Sequence, residues 1–204
     1  MGVYYEQVLP RLIHAALGSD RVGKWRKRCV EGLAGVVVEP GFGSGLNIAF
    51  YPPEVTKVYA VDPAVVGRKL SAERSSASPV EIEHVGLDGQ SLPLEDASCD
   101  AGLLTFTLCT IPNPVQALAE LHRVIRPGGT LHFLEHGHGP TEAVQKWQRR
   151  LEPVQRQLFD GCHLTRDMPT LISGNGFEVL EVDASYAKGP KPVAWFTVGR
   201  AVRV

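Results

Sequence analysis

The sequence has no apolar run long enough to cross a bilayer and no leader of charged, apolar and small residues at its start. The expectation is a soluble, cytoplasmic protein without a membrane anchor. Charge of one sign is missing too. Twenty-one Lys and Arg stand against 22 Asp and Glu, a net charge of −1, which argues against a dedicated nucleic-acid binder. The one basic run, Lys24-Trp25-Arg26-Lys27-Arg28, reads as a solvated helix face. Cysteine is scarce. Cys29, Cys99, Cys109 and Cys162 include no pair at metal-site or redox spacing, so no metal is expected and the compartment reads as reducing. Cys99 and Cys109 read as small core residues. There is no internal repeat and no low-complexity tract. With 204 residues and 44% apolar side chains, the chain is long enough to bury a real core as one domain.

What is present is an alternation of two hydrophobic periods. Apolar pairs at Tyr4/Tyr5, Val8/Leu9, Leu12/Ile13 and Ala16/Leu17 mark an amphipathic helix, interrupted or restarted at Pro10. A second helix covers Arg21 to Val30, and residues 1–30 together form a helical cap. Strands are expected at 35–39, 57–62, 80–88, 101–111, 130–136, 178–184 and 194–202. Between them, a short helix ends at Tyr51-Pro52-Pro53, a second opens at Pro63, and a third is capped by Asn113-Pro114. Residues 137–170 break the rhythm as a polar insertion, and a short helix precedes Gly174. Alternating strands and helices imply an α/β fold, a mostly parallel sheet with helices on both faces, with ligands at the strands' C-terminal edge.

The stretch Val36 to Asn47, "VVVEPGFGSGLN", follows the first strand. The dinucleotide fingerprint needs a third glycine that neither register supplies: the position is Leu46 counted from Gly41 and Ile48 counted from Gly43. The pattern present is Glu39, Gly41, Gly43, Gly45. A carboxylate so near a pyrophosphate would repel it but would welcome an ammonium or sulfonium. Asp62 ends the second strand, where a carboxylate can accept two ribose hydroxyls or cap the following helix; the two roles are compatible.

These residues resemble the class I S-adenosylmethionine-dependent methyltransferases, of the methyltransferase type 11 family, over nearly the whole chain. "VVVEPGFGSG" is similar to their first motif, "VYAVDP" to their ribose motif, "GLDGQSLPLEDASCD" to their adenine loop, and "ALAELHRVIRPGGTLHFLEH" to their linker helix and fifth strand. "FYPP", "TLCTI", "FLEH" and "LFDGCHLTRD" resemble a branch that includes alkyl thiol methyltransferases and small bacterial enzymes. The resemblance implies a Rossmann-like, seven-stranded sheet with an antiparallel last strand. It implies S-adenosylmethionine as cofactor and S-adenosylhomocysteine as product. It implies cofactor contacts at Glu39, Gly41, Phe42, Gly43 and Asn47, at Asp62 and Pro63, at Asp88 and Gly89 beside the adenine, and at Thr105.

A hydroxyl acceptor needs a base to become nucleophilic, whereas a thiol near neutral pH needs less help. His136, beside Glu135 at the end of the fifth strand, is a candidate base, or else a structural histidine. His163 in "GCHLTRD" is a second candidate facing the acceptor, with Arg166 or Asp167 fixing its loop. His132 packs against a helix and His138 lies in a loop. Trp147 and Tyr186 wall an acceptor pocket or belong to the core. The leading expectation is O-methylation of a small molecule, with a sugar or lipid precursor as acceptor. The alternatives are thiol S-methylation and a non-catalytic cofactor-binding scaffold.

Overall fold

The computed structural model describes residue 4 and residues 8–204. Residues 1–3 and 5–7, including the Tyr5 of the first expected helix, lie outside the described residues. Seven strands form one sheet in the order β3-β2-β1-β4-β5-β7-β6. They are β1 (Gly35–Pro40), β2 (Val55–Val61), β3 (Glu81–Gly86), β4 (Cys99–Thr105), β5 (Ile125–His136), β6 (Phe177–Tyr186) and β7 (Trp195–Arg203). The first five run parallel, and β7 is antiparallel to both β5 and β6. Among the described residues the α-helices are α1 (Leu9–Leu17), α2 (Asp20–Cys29), α3 (Val65–Ala77), α4 (Pro114–Val124), α5 (Glu142–Leu158) and α6 (Met168–Ser173).

The sheet is covered on both sides, so its central strands read as unbroken apolar runs. Successive residues serve opposite faces. Val38, Leu104 and Phe133 join the core shared with α4 and α6, while Val37, Leu103 and Leu134 join the core shared with α2. Each of these side chains is fully buried, and each contributes about 1.5–3 kcal/mol through removal from water. The strand order reverses between β1 and β4. This is the switch point at which chains leaving adjacent strands diverge and a crevice opens at their C-terminal ends.

Several boundaries differ from the periodicity. The fourth strand stops at Thr105, not at residue 111, because Phe106 turns out of it at φ 56°. The third stops at Gly86, leaving Leu87 to Gln90 as a loop. Pro63 does not open the third helix. It stands in the bend before α3, which begins at Val65 with Ala64 as its N-cap. The helix expected after the glycine loop is a single 3-10 turn, Ile48–Phe50. Pro10 lies in the first turn of α1, where its missing N–H costs nothing.

The polar stretch 137–170 contains the longest helix, α5. Thr141 accepts a hydrogen bond from the Val144 amide at its N-terminus. Val144, Trp147, Leu151, Val154 and Leu158 recur along it at intervals of three and four, but Trp147, Val154 and Leu158 stay exposed, and the buried residue of the helix is polar. Buried Gln148 accepts from the Gly139 amide at 2.8 Å and donates to the carbonyls of Gly137 at 3.0 Å and Pro192 at 3.1 Å. This glutamine docks α5 on the segment leaving β5.

Candidate active site

The glycine loop leaves β1 at the switch point. Gly41, Gly43 and Gly45 adopt φ of 75°, 54° and 70°, left-handed conformations that side chains disfavour. At Gly41 a Cβ would lie 2.0 Å from the Thr107 hydroxyl oxygen, so the loops after β1 and β4 touch there. At Gly43 a Cβ would meet nothing closer than 3.8 Å. The backbone there borders open space beside Asp62. One Asp62 oxygen accepts from the Gly43 amide at 2.8 Å and the other from the Ala64 amide at 2.7 Å. Burial raises the Asp62 pKa, and these two N–H groups oppose that rise. Each oxygen keeps a further lone pair for a ribose hydroxyl. Phe42 is buried, its ring edge-on to His84 at 5.4 Å, and so shapes the loop from below.

Glu39 is fully buried at the end of β1 within a connected polar network. Asn47 Nδ2 donates to Glu39 at 2.8 Å and to the Thr105 hydroxyl at 3.0 Å. Tyr51 donates its hydroxyl to the second Glu39 oxygen. Arg26 Nη1 donates to Asn47 Oδ1 at 2.8 Å and to Thr105 at 3.2 Å. Burial pushes the Glu39 carboxyl up to about 7, although Tyr51, Asn47 and Arg26 pull it down. The Arg26 Nε is buried with no partner, a donor that an anionic ligand group would satisfy.

Arg26 is 4% exposed, so the basic run is not wholly a solvated face. The signal was spacing: Val22, Arg26 and Cys29, at intervals of four and three, are the buried residues of α2. Tyr51 was read as part of a helix stop and missed as a partner of Glu39.

The N-terminal helices cover this loop. His14 Nδ1 of α1 and the Ser44 hydroxyl are 2.7 Å apart. On the other side, Asp88 lies exposed after β3 and accepts from the amide and side chain of Gln90 at 2.8 and 3.0 Å. A Cβ at Gly89 would press against Pro40 at 3.0 Å, so the loop after β3 and the end of β1 approach closely.

The ends of β4 and β5 carry the other half of the site. Glu135 is completely buried and accepts three backbone N–H bonds, from Thr107 and Leu108 at 2.9 Å and Cys109 at 3.0 Å. Burial raises its pKa against those three donors. Its carboxylate pins the turn that leaves β4.

His136, half-buried, sits between the rings of Phe106 at 5.1 Å and Phe196 at 5.3 Å. Its Nδ1 faces two sulfurs, Cys109 at 3.8 Å and Cys162 at 3.6 Å, and these lie 3.7 Å from each other. The cysteine read only as core and the one read beside His163 thus meet across 53 residues.

His163 pairs with Glu152 of α5 at 3.0 Å. Glu152 also accepts from the Thr165 hydroxyl at 2.6 Å and from the amides of Leu164 and Thr165. Burial raises the Glu152 pKa, but the bonds from Thr165 and His163 outweigh it and leave the carboxyl lowered. Arg166 donates to the Leu108 and Ile111 carbonyls, and Asp167 caps α6 by accepting from Thr170.

His132 is buried with Nδ1 2.8 Å from the Cys29 carbonyl at the end of α2, and His138 is an exposed loop residue. Trp147 and Tyr186 are 54% and 39% exposed, so neither belongs to the core. Tyr186 instead packs on Trp195 at 4.8 Å.

A glycine loop at the switch point, a carboxylate closing each of β1 and β2, and a buried arginine whose Nε has no partner suit a nucleoside joined to a charged amino acid. Comparison with known proteins agrees. A methyltransferase domain family model matches residues 38–133. Thiol S-methyltransferase TMT1B of Rattus norvegicus is 34% identical over 80% of this chain and 66% of its own length. Its Homo sapiens counterpart is 32% identical over 83% and 71%. The chain therefore spans about two thirds of the length of these relatives. A Thermotoga maritima S-adenosylmethionine-dependent methyltransferase, described as a possible histamine N-methyltransferase, superposes with a TM-score of 0.70 at 19% identity, covering 98% of both chains. The chain belongs to the class I S-adenosylmethionine-dependent methyltransferases, and S-adenosylmethionine is its cofactor. Among the described residues, no helix is long and apolar enough to cross a membrane.

Proposed function

We propose that this protein transfers the methyl group of S-adenosylmethionine to the sulfur of a small-molecule thiol. This departs from the expected O-methylation. The observation that carries it is the fate of the carboxylate and imidazole at the end of β5. Glu135 spends its oxygens on three backbone amides, and His136 Nδ1 faces sulfur rather than a carboxylate that would make it a strong base. A thiol is the acceptor that needs the least help from a base. The relatives' names point the same way.

The cofactor supplies an electrophilic methyl on a sulfonium with a good leaving group, and leaves as S-adenosylhomocysteine. The chain's own residues hold it. Arg26 takes the amino-acid carboxylate with its spare Nε. Glu39, through Asn47 and Thr105, balances the ammonium. Asp62 receives the ribose, with Pro63 setting the bend beside it. Asp88 and Gly89 border the adenine, and the bare backbone of Gly41 and Gly43 admits the chain between. The described part of the expected N-terminal cap, residues 8–30, covers the cofactor, and residues 137–170 wall the acceptor, both as parts of one domain. Four unpaired thiols suit a reducing cytoplasm.

One observation favours the hydroxyl reading. The His163–Glu152 pair has the arrangement of a base oriented by a carboxylate. Radiolabelled S-adenosylmethionine offered with a thiol and with the alcohol of the same skeleton separates the two. The expected result is transfer to the thiol at a rate changed less than about threefold by His163→Ala. Preferential transfer to the alcohol, with a loss of about 10²-fold or more in His163→Ala, would overturn the thiol reading.

A further inference from the structure

We propose that Cys109, Cys162 and His136 form a three-ligand site for zinc, with its fourth position open to the sulfur of the thiol acceptor. The geometry carries the metal. Bond lengths of about 2.3 Å to sulfur and about 2.05 Å to nitrogen, set at tetrahedral angles, give ligand separations of about 3.8 Å between sulfurs and about 3.6 Å between sulfur and nitrogen. The three separations here are 3.7 Å between the sulfurs and 3.8 and 3.6 Å from them to Nδ1. Each separation alone is also that of an ordinary thiol contact; what marks the group is that two sulfurs and a ring nitrogen from three separate segments converge, all within 4.8 Å of one another.

The ligands are also held from behind, as a metal site requires. The Cys109 amide is bound to Glu135, and the Cys109 carbonyl accepts from the His163 amide at 2.7 Å, which ties the two cysteine segments together. Arg166 clamps the carbonyls on either side of Cys109, at Leu108 and Ile111. Phe106 and Phe196 fix the plane of His136. Two thiolates and a neutral imidazole balance a divalent cation, so the buried centre carries no net charge. Two sulfurs and one nitrogen select zinc over harder cations. Among the described residues no fourth His, Cys, Asp or Glu joins the group, the arrangement of a site with an exchangeable position.

The position suits the chemistry. Phe106 packs at a tilt against His136, and the Arg26 guanidinium carbon lies 5.8 Å from the centre of the same ring. The metal site and the proposed anchor of the cofactor's amino-acid end are one ring apart. An acceptor thiol entering the fourth position releases its proton to solvent and becomes a metal-bound thiolate. Its sulfur electron pair forms the new S–C bond as the sulfonium C–S bond breaks, and that bond's electrons stay with S-adenosylhomocysteine. The product thioether is neutral, a weaker ligand, and departs. This fourth-ligand step rests on the thiol reading; the three-ligand site does not.

Cobalt(II) titration of the full chain, reduced and stripped of metal under anaerobic conditions, tests the site without recourse to activity. The expected result is one equivalent bound with a thiolate-to-cobalt charge-transfer band and the visible spectrum of tetrahedral cobalt. Cys162→Ser is expected to halve that band and weaken binding at least tenfold while still binding S-adenosylmethionine, which reports its folding. No binding to the wild-type chain, or binding without the charge-transfer band, overturns the site. Mercaptoethanol added to the cobalt form is expected to raise the band by about half, as three thiolates replace two. An unchanged band overturns the open position. Thiol methylation that persists undiminished after chelation refutes the metal's role and leaves the thiol reading intact. A sound cobalt site in a chain that methylates no thiol refutes that reading and leaves the metal.

Discussion

Glu39→Gln probes the buried network at the end of β1. Burial raises the Glu39 carboxyl from 4.5 to about 7 in the folded chain. The unfolded chain ionises near 4.5, so between those values the folded state holds a proton that the unfolded state has lost. Stability is therefore fully present below about pH 4.5 and falls as pH rises to about 7, by about 3 kcal/mol in all. Glutamine cannot titrate, and its stability lacks this slope. It carries a fixed cost instead, because its amide nitrogen must face one of two donors, Asn47 Nδ2 or the Tyr51 hydroxyl; a buried clash of donors costs about 1–3 kcal/mol. The variant is expected to be less stable than the wild type at pH 5, to gain on it up to about pH 7, and to level off above that. Urea unfolding of both cofactor-free proteins at half-unit steps of pH measures the difference. A difference that stays constant within about 0.5 kcal/mol from pH 5 to pH 8 would refute the raised pKa. If the ionised carboxylate balances the cofactor's ammonium, saturating S-adenosylmethionine removes the wild-type slope.

Three further outcomes are expected. Gly41→Ala places a Cβ 2.0 Å from the Thr107 hydroxyl at φ +75°, whereas Gly128→Ala at φ +74° meets nothing within 4 Å; the second should cost only about 1 kcal/mol and the first at least twice that, with loss of cofactor binding, by thermal melting and calorimetry. Glu135→Gln leaves one acceptor oxygen for three N–H donors and should cost about 2–4 kcal/mol in urea unfolding, a loss under 0.5 kcal/mol disproving its role as the pin of the β4 turn. Arg26→Lys keeps the charge but loses Nε, so the dissociation constant for S-adenosylmethionine should rise about tenfold with little change in that for adenosine; equal weakening of both would place Arg26 away from the amino-acid end.

The proposed cofactor side was legible in local order. Glu39, the alternating glycines and Asp62 lie within two βα turns, and each needs only its own strand to point it at the switch point. The strands themselves were legible because burial on both faces demands continuous apolar runs. Among the differences from the expected elements, the end of β4 and the helix α5 are the instructive ones. Thr105 to Ile111 is apolar enough for a strand, but Phe106 takes φ 56° and Glu135, 29 positions from it, binds the amides beyond. In α5 the apolar positions Val144, Trp147, Leu151, Val154 and Leu158 do keep a helical period, but Pro153 interrupts it, and the helix is docked by the hydrogen bonds of Gln148.

On the proposed acceptor side the sequence offered His136 and His163, but which residues meet there was decided by tertiary structure. Cys109 follows β4, His136 ends β5, and Cys162 stands beyond α5, three segments with no spacing relation among them. Only the pairing of β4 with β5 and the docking of α5 bring their ligating atoms within 4.8 Å of one another. Arg26 is the intermediate case. Its phase with Val22 and Cys29 marks it as inward-facing, but the partners that make an inward arginine tolerable, Asn47 and Thr105, come from the glycine loop after β1 and from β4. Sequence by itself determined the residues whose neighbours are local or whose burial is purely apolar. Buried polar groups from distant segments satisfy one another only once the chain has closed, and there only the fold could choose the partners.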